Sequence, residues 1–199
     1  MWKLILCRAV FVSAAFFIVT GCHATMSVQA GMQTPPSETH AVPLHFVSHN
    51  FEAFCYNTLT CKVVYNNHDF TRLAIDRRSP SPPSGYRKSW PHALYIGIRN
   101  FPPPAEVQWT SMDGAKHEAK VDMAGILKDQ LIWHKVPKSD MMDFFDGPVA
   151  GAPNVYLEVN DRTINVYMEM LIPTKTEQIR GNKNSDFRDD LFMVWTRTY

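Results

Sequence analysis

The chain has 199 residues, 45% of them hydrophobic, with 20 Lys and Arg set against 19 Asp and Glu. So even a balance leaves no broad basic surface for nucleic acid or anionic lipid, and the apolar fraction is too high for a disordered chain. One folded body with a sizeable core is the expectation.

Lys3 and Arg8 give the chain a positive start, and Ala9 to Val19 form an uncharged apolar run. That run falls short of the about 20 residues a spanning helix needs, and it suits a secretory signal. It ends in Val19-Thr20-Gly21-Cys22, which resembles the lipobox of bacterial lipoproteins. The resemblance implies a signal peptide over residues 1–21 and lipidation of Cys22. It also implies a location on the periplasmic side of a bacterial membrane, held by a lipid anchor whose detachment is negligible. His23 in place of Asp after the cysteine resembles the outer-membrane sorting pattern. The competing reading is an ordinary secretory signal followed by a chance cysteine. Cleavage removes two of the 20 cationic side chains and none of the 19 acidic ones, leaving the body slightly acidic.

With Cys7 lost and Cys22 lipidated, Cys55 and Cys61 remain. In an oxidising compartment two leftover cysteines predict one disulfide, closing a small ring for about 2 kcal/mol. A redox pair is the alternative, but it calls for the tighter Cys-x-x-Cys spacing.

Residues 22–43 are polar and proline-dotted, reading as a tether of about 25 Å r.m.s. span. Residues 44–199 read as a single β-rich globular domain of the α+β class, mostly antiparallel hairpins with one or two short helices. Phe51–Tyr56, Cys61–Tyr65 and a strand after Asn66-Asn67 are expected to form a three-strand meander, with Tyr65 opposite His68 in a primed turn. Ile75–Pro91 holds four prolines, four serines and a glycine, so a long surface loop is expected. Long loops are often functional. Tyr86 and Trp90 are its candidate partner-binding residues, against the plainer alternative that both pack back on the domain.

Ala93–Arg99 reads as a strand. For the next hairpin a two-residue Asp113-Gly114 turn sets Trp109 against Glu118. A three-residue loop, Met112-Asp113-Gly114, sets Trp109 against His117 and Val107 against Ala119, keeping apolar residues on one face. The second register is preferred. Asp122–Trp133 has roughly helical spacing and predicts one short helix; Ser139–Phe145 predicts another turn or two, with Ser139 as N-cap. Val155–Val159 and Ile164–Ile172 alternate cleanly, pairing Val159 with Ile164 and Leu157 with Val166, and predict a half-buried hairpin with a wet outer side. Thr174–Asp190 is a polar connector, and Leu191–Tyr199 a strand inside the sheet.

No nucleophile elbow, phosphate loop, dinucleotide fingerprint or His-Glu-x-x-His occurs in the sequence, so no catalytic residue, cofactor or small-molecule substrate is assigned. His45 and His49 share a strand face but lie about 13 Å apart at that spacing, too far for one metal, and no metal site is assigned. Asp140 and Asp143 flank apolar residues that include Phe144 and Phe145. They form either an acidic recognition surface around an apolar anchor or the solvated face of a short helix.

Three segments carry a family resemblance: CYNTLTCKVVYNN (55–67), FPPPAEVQWTSMDG (101–114) and VYLEVNDRTINVYM (155–168). They resemble the periplasmic immunity lipoproteins that accompany lipase effectors of bacterial type VI secretion systems, over most of residues 50–199. The resemblance implies a non-enzymatic role: binding a cognate phospholipase effector in the periplasm and occluding its active site stoichiometrically. It transfers no contact residues. The rival expectation is a structural or assembly lipoprotein of the outer membrane; an enzyme with an unmotified site is a third.

Overall fold

Period-two alternation builds two main sheets whose apolar faces meet. The computed structural model describes residues 31–32, 42–71, 77–143 and 151–199. Its strands are β1 (Gly31–Met32), β2 (Ser48–Tyr56), β3 (Thr58–Tyr65), β4 (His68–Asp69), β5 (Tyr95–Arg99), β6 (Ala105–Ser111), β7 (Lys116–Val121), β8 (Asn154–Asn160), β9 (Thr163–Glu169), β10 (Ile172–Pro173), β11 (Phe187–Arg188) and β12 (Phe192–Thr198). A six-stranded sheet runs β1-β12-β9-β8-β2-β5, a four-stranded sheet runs β4-β3-β6-β7, and β10 pairs with β11. The fold is β-rich α+β with antiparallel pairing dominant. Among the described residues no helix is long and apolar enough to cross a membrane.

Both long hairpins take the expected registers. Trp109 faces His117, Val107 faces Ala119 and Glu106 faces Lys120. The three-residue loop closes with Ser111 N–H on the Ala115 carbonyl at 3.0 Å, and Gly114 takes the left-handed φ of 86° the loop requires. Val159 pairs with Ile164, Leu157 with Val166 and Val155 with Met168. Tyr65 pairs with His68 across Asn66 and Asn67, both at positive φ as a primed turn demands. Strand β12 lies inside the large sheet, between β9 and β1.

Other expectations are corrected. β2 and β3 are not a hairpin: β2 belongs to the large sheet and β3 to the small one. The chain turns a corner at Asn57, where φ is 50°. The predicted disulfide is present, Cys55 to Cys61 with Cα atoms 6.4 Å apart, and it staples that corner rather than a turn. β2 instead pairs in parallel with β8. The first helix shrinks to one turn, α1 (Met123–Ile126). Beyond it Leu131 bridges His45, and Ile132 N–H reaches the Leu44 carbonyl at 2.8 Å, so sheet-like bonding claims the residues that helical spacing had suggested. Of the second expected helix, Ser139–Phe145, the described part is a turn at 138–140, a bridge from Met141 to Thr174 and 3-10 geometry at Asp143, while 144 and 145 lie outside the described residues. Gly31 and Met32, inside the expected tether, pair with Thr196 and Trp195.

The core fills the space between the sheets. Phe51, Leu157, Val159, Ile164 and Val166 come from the large sheet, Val63, Val107, Trp109 and Val121 from the small one, and Leu44, Phe46, Met123 and Ile132 close it. Each fully buried side chain of this kind contributes about 1.5–3 kcal/mol. His49, fully buried, ties β2 to β3 within it. Its Nε2 lies 3.1 Å from the Tyr65 hydroxyl and its Nδ1 2.8 Å from Asn100 Oδ1. The Asn100 amide nitrogen donates to the Phe46 carbonyl, so its oxygen is the acceptor; Nδ1 then donates and Nε2 accepts from Tyr65. Burial lowers the His49 pKa, against the bond to Asn100, in keeping with a neutral ring.

Candidate interaction surface

The outer face of the large sheet is not wet. Tyr156, Glu158, Asn165 and Tyr167 alternate with the core residues of β8 and β9, yet all four are buried. Their cover is the proline-rich segment 77–93, a strap laid across the face. It is fixed at one end by Ser79 N–H on the Thr58 carbonyl at 2.8 Å and by Asn57 N–H on the Pro80 carbonyl at 3.2 Å. Gly85, at φ 68°, then starts a single turn of 3-10 helix, Tyr86–Ser89.

That turn latches onto Glu158. The Tyr86 hydroxyl donates to one carboxylate oxygen. Arg87 Nη2 reaches the other at 2.9 Å, and Asn165 and Tyr167 donate to it at 2.8 and 3.2 Å. A carboxylate that is fully buried is tolerable only with such a set of donors. Burial, then the bond to Glu158, push the Tyr86 phenol well above its usual pKa, so it stays a donor. Trp90 clamps the far end: it stacks on Phe54 at 4.6 Å and contacts Tyr156 and Tyr167. Its Nε1–H donates to the Tyr56 hydroxyl at 3.0 Å. Tyr86 and Trp90, read from sequence as candidate partner contacts, therefore face the sheet and hold the strap down.

Beyond the strap the same face reaches the edge strand β5. A bulge sets two residues of β5, Ile96 and Gly97, against the single Asn50 of β2. Gly97 accommodates it with φ 72°, and its N–H donates to Asn50 Oδ1 at 3.1 Å. Tyr95 and Ile98 pack inward, while Leu94 and Ile96 point out, 77% and 74% exposed. Strict alternation from Ile98 would have buried both.

The other sequence candidates are placed apart from this face. Asp140 accepts from Thr176 Oγ1 at 2.6 Å, and Asp143 pairs with Lys175 at 2.9 Å, whose bond and charge hold the Asp143 carboxyl below the usual range. They anchor the start of the connector after β10. Phe144, Phe145 and Cys22 lie outside the described residues. His45 is exposed and His49 buried, and among the described residues no cluster of three His, Cys, Asp or Glu side chains is arranged to hold a metal.

One constellation went unnoticed in the sequence. Ser111 Oγ lies 2.5 Å from Asp113 Oδ1 and 2.9 Å from His117 Nε2. Ser111 is fully buried and its hydroxyl is the hub, so Asp113 bonds the serine rather than orienting the imidazole as a nucleophilic triad requires. The trio caps the β6–β7 turn. Outside it, the small sheet's outer face forms a shallow depression of about 460 Å³, lined by Thr60, Lys62, Gln108, Thr110, Lys116 and Glu118 among others. These side chains are polar and of mixed charge.

No known protein family, curated protein or solved structure matches this chain. The functional reading therefore rests on its own surface and on the three segments quoted above. Those segments form the disulfide corner with β3 (55–67), the strand β6 with its turn (101–114) and the β8–β9 hairpin (155–168). They build the scaffold, and the outward Leu94 and Ile96 lie outside all three.

Proposed function

We propose that this chain is a lipid-anchored immunity protein of the periplasm, tethered to the outer membrane through Cys22. In this reading it neutralises a type VI secretion lipase effector by covering the active site. The segment resemblance supplies the class of partner. The observation that carries a binding role is the pair Leu94 and Ile96, large aliphatics turned to solvent by a bulge beside an immobilised strap. Two core-grade side chains on an outer face have no stabilising role in the isolated fold, whereas a protein interface buries such residues at its centre.

The deciding experiment is a titration. Lipase activity falls linearly with added protein and vanishes at a fixed ratio if the chain acts by occlusion. Substoichiometric protein that progressively destroys the lipase would mean catalysis instead. A Cys22→Ser form is expected to lose acyl labelling and membrane fractionation; retention of both overturns the anchor.

A further inference from the structure

The strap's outward side is cationic. From Ile75 to Ala93 the sequence carries Arg77, Arg78, Arg87 and Lys88 against the single acidic residue Asp76. Arg87 is engaged by Glu158. Arg77, Arg78 and Lys88 are exposed, and none of the three forms an ion pair among the described residues. A near-neutral chain thus concentrates positive charge on one fixed loop, and Leu94 and Ile96 follow it directly on the same face.

We propose that this face, the strap with Leu94 and Ile96, is the docking surface for an acidic protein: an apolar patch that receives the two aliphatics, rimmed by carboxylates that meet Arg77, Arg78 and Lys88. The proposal rests on the reading of the chain as an effector-binding protein and names the effector surface it would cover. Three features support it. Pro80, Pro82 and Pro83 fix φ, and the Glu158 latch and Trp90 clamp hold the strap, so little ordering entropy is lost on binding. A second copy of this chain would bring like charges together, which opposes self-association through the strap. The outer edge of β5 is unpaired among the described residues. Its N–H and C=O groups would lose water without gaining partners in a lipid bilayer, whereas a protein surface can supply partners.

The test is calorimetric titration of a candidate cognate type VI secretion lipase effector, its nucleophile substituted, into the wild-type protein and three variants. R77E/R78E/K88E is expected to weaken binding by about 100-fold and to flatten its salt dependence. L94S/I96S is expected to weaken it by about tenfold or more. K62E/K116E, two charge reversals on the small sheet's outer face, serves as the control and is expected to bind like wild type; circular dichroism melts confirm that all four proteins fold. Wild-type binding that both strap-face variants retain overturns the docking surface and leaves the immunity reading standing. Failure of the wild type itself to bind the lipase overturns the immunity reading, and this surface with it. Binding to phosphatidylglycerol vesicles that R77E/R78E/K88E abolishes, with effector affinity unchanged, assigns the face to membrane and also overturns the proposal.

Discussion

The outer face of the large sheet carries Phe54, Tyr156, Glu158 and Tyr167, and the outer face of the small sheet carries Lys62, Gln108, Lys116 and Glu118. Both arise from the same alternation behind the same core, yet one is sealed and the other open. The aromatic face favours a cover because its rings are poorly served by water, and Glu158, buried along with them, then needs donors in place of water. The strap supplies stacking partners for the rings and donors for Glu158 together. The mixed-charge face is already satisfied by water. Chemistry of the outward residues, not their spacing, decides which face acquires a lid.

Breaking the latch is expected to have the largest effect. Glu158→Ala strands the Arg87 cation and removes the acceptor for Tyr86, Asn165 and Tyr167. A loss of about 3 kcal/mol is expected in urea unfolding, at the low end for a broken buried pair because Arg87 is partly exposed. Trp90→Ala removes the stack on Phe54 and the bond to Tyr56 and is expected to cost about 2–3 kcal/mol, with a change in near-ultraviolet circular dichroism that reports the loosened aromatic cluster. Replacing Cys55 and Cys61 together by Ser is expected to cost about 2 kcal/mol without abolishing the fold, and unreduced peptide mapping of the wild type should recover the two cysteines linked.

A smaller effect is expected from pH. His49 has a folded pKa below its unfolded value of 6.5, so the unfolded chain binds more protons between the two values. Stability is then full above pH 6.5 and falls as pH drops from there through the lower folded value. Denaturant midpoints across that range should decline, and His49→Gln should flatten the slope. The smallest effect is expected on the open face, where Glu118→Gln should stay within about 0.5 kcal/mol of wild type. A large loss there would erase the contrast between the two faces.

Local pairing was legible in the sequence because each hairpin has an apolar face, and a one-residue slip would expose it. Trp109 opposite His117 and Leu157 opposite Val166 follow from that constraint alone. The partnership of β2 with β8 was not legible, because nothing local to Asn50 specifies Asn154, 104 residues away. The corner at Asn57 was misread as a hairpin: Cys55 and Cys61 constrain distance, and a bend between sheets meets that constraint as well as a turn does. In the candidate surface, the strap's length and its aromatics marked it out. The aim of Tyr86 and Trp90 depended on Glu158 and Phe54, which the sequence keeps far away. Gly97 was the available signal for the bulge, a glycine inside a strand pattern.

The parallel pairing of β2 with β8 also bears on the order in which the chain can assemble. β2 has β5 as its other neighbour in the large sheet, so a chain halted before residue 150 leaves β2 as half a ribbon, with Phe51 and Ala53 missing the apolar surface of Val155 and Leu157. The β8–β9 hairpin, β12 and the Glu158 anchor for the strap all arrive with the last quarter of the sequence. Closing a loop of about a hundred residues before any of that pairing is rewarded makes folding slow and cooperative. An assembling chain would therefore expose the rings of Phe54 and Trp90 until its final strands are made, and the strap would settle last.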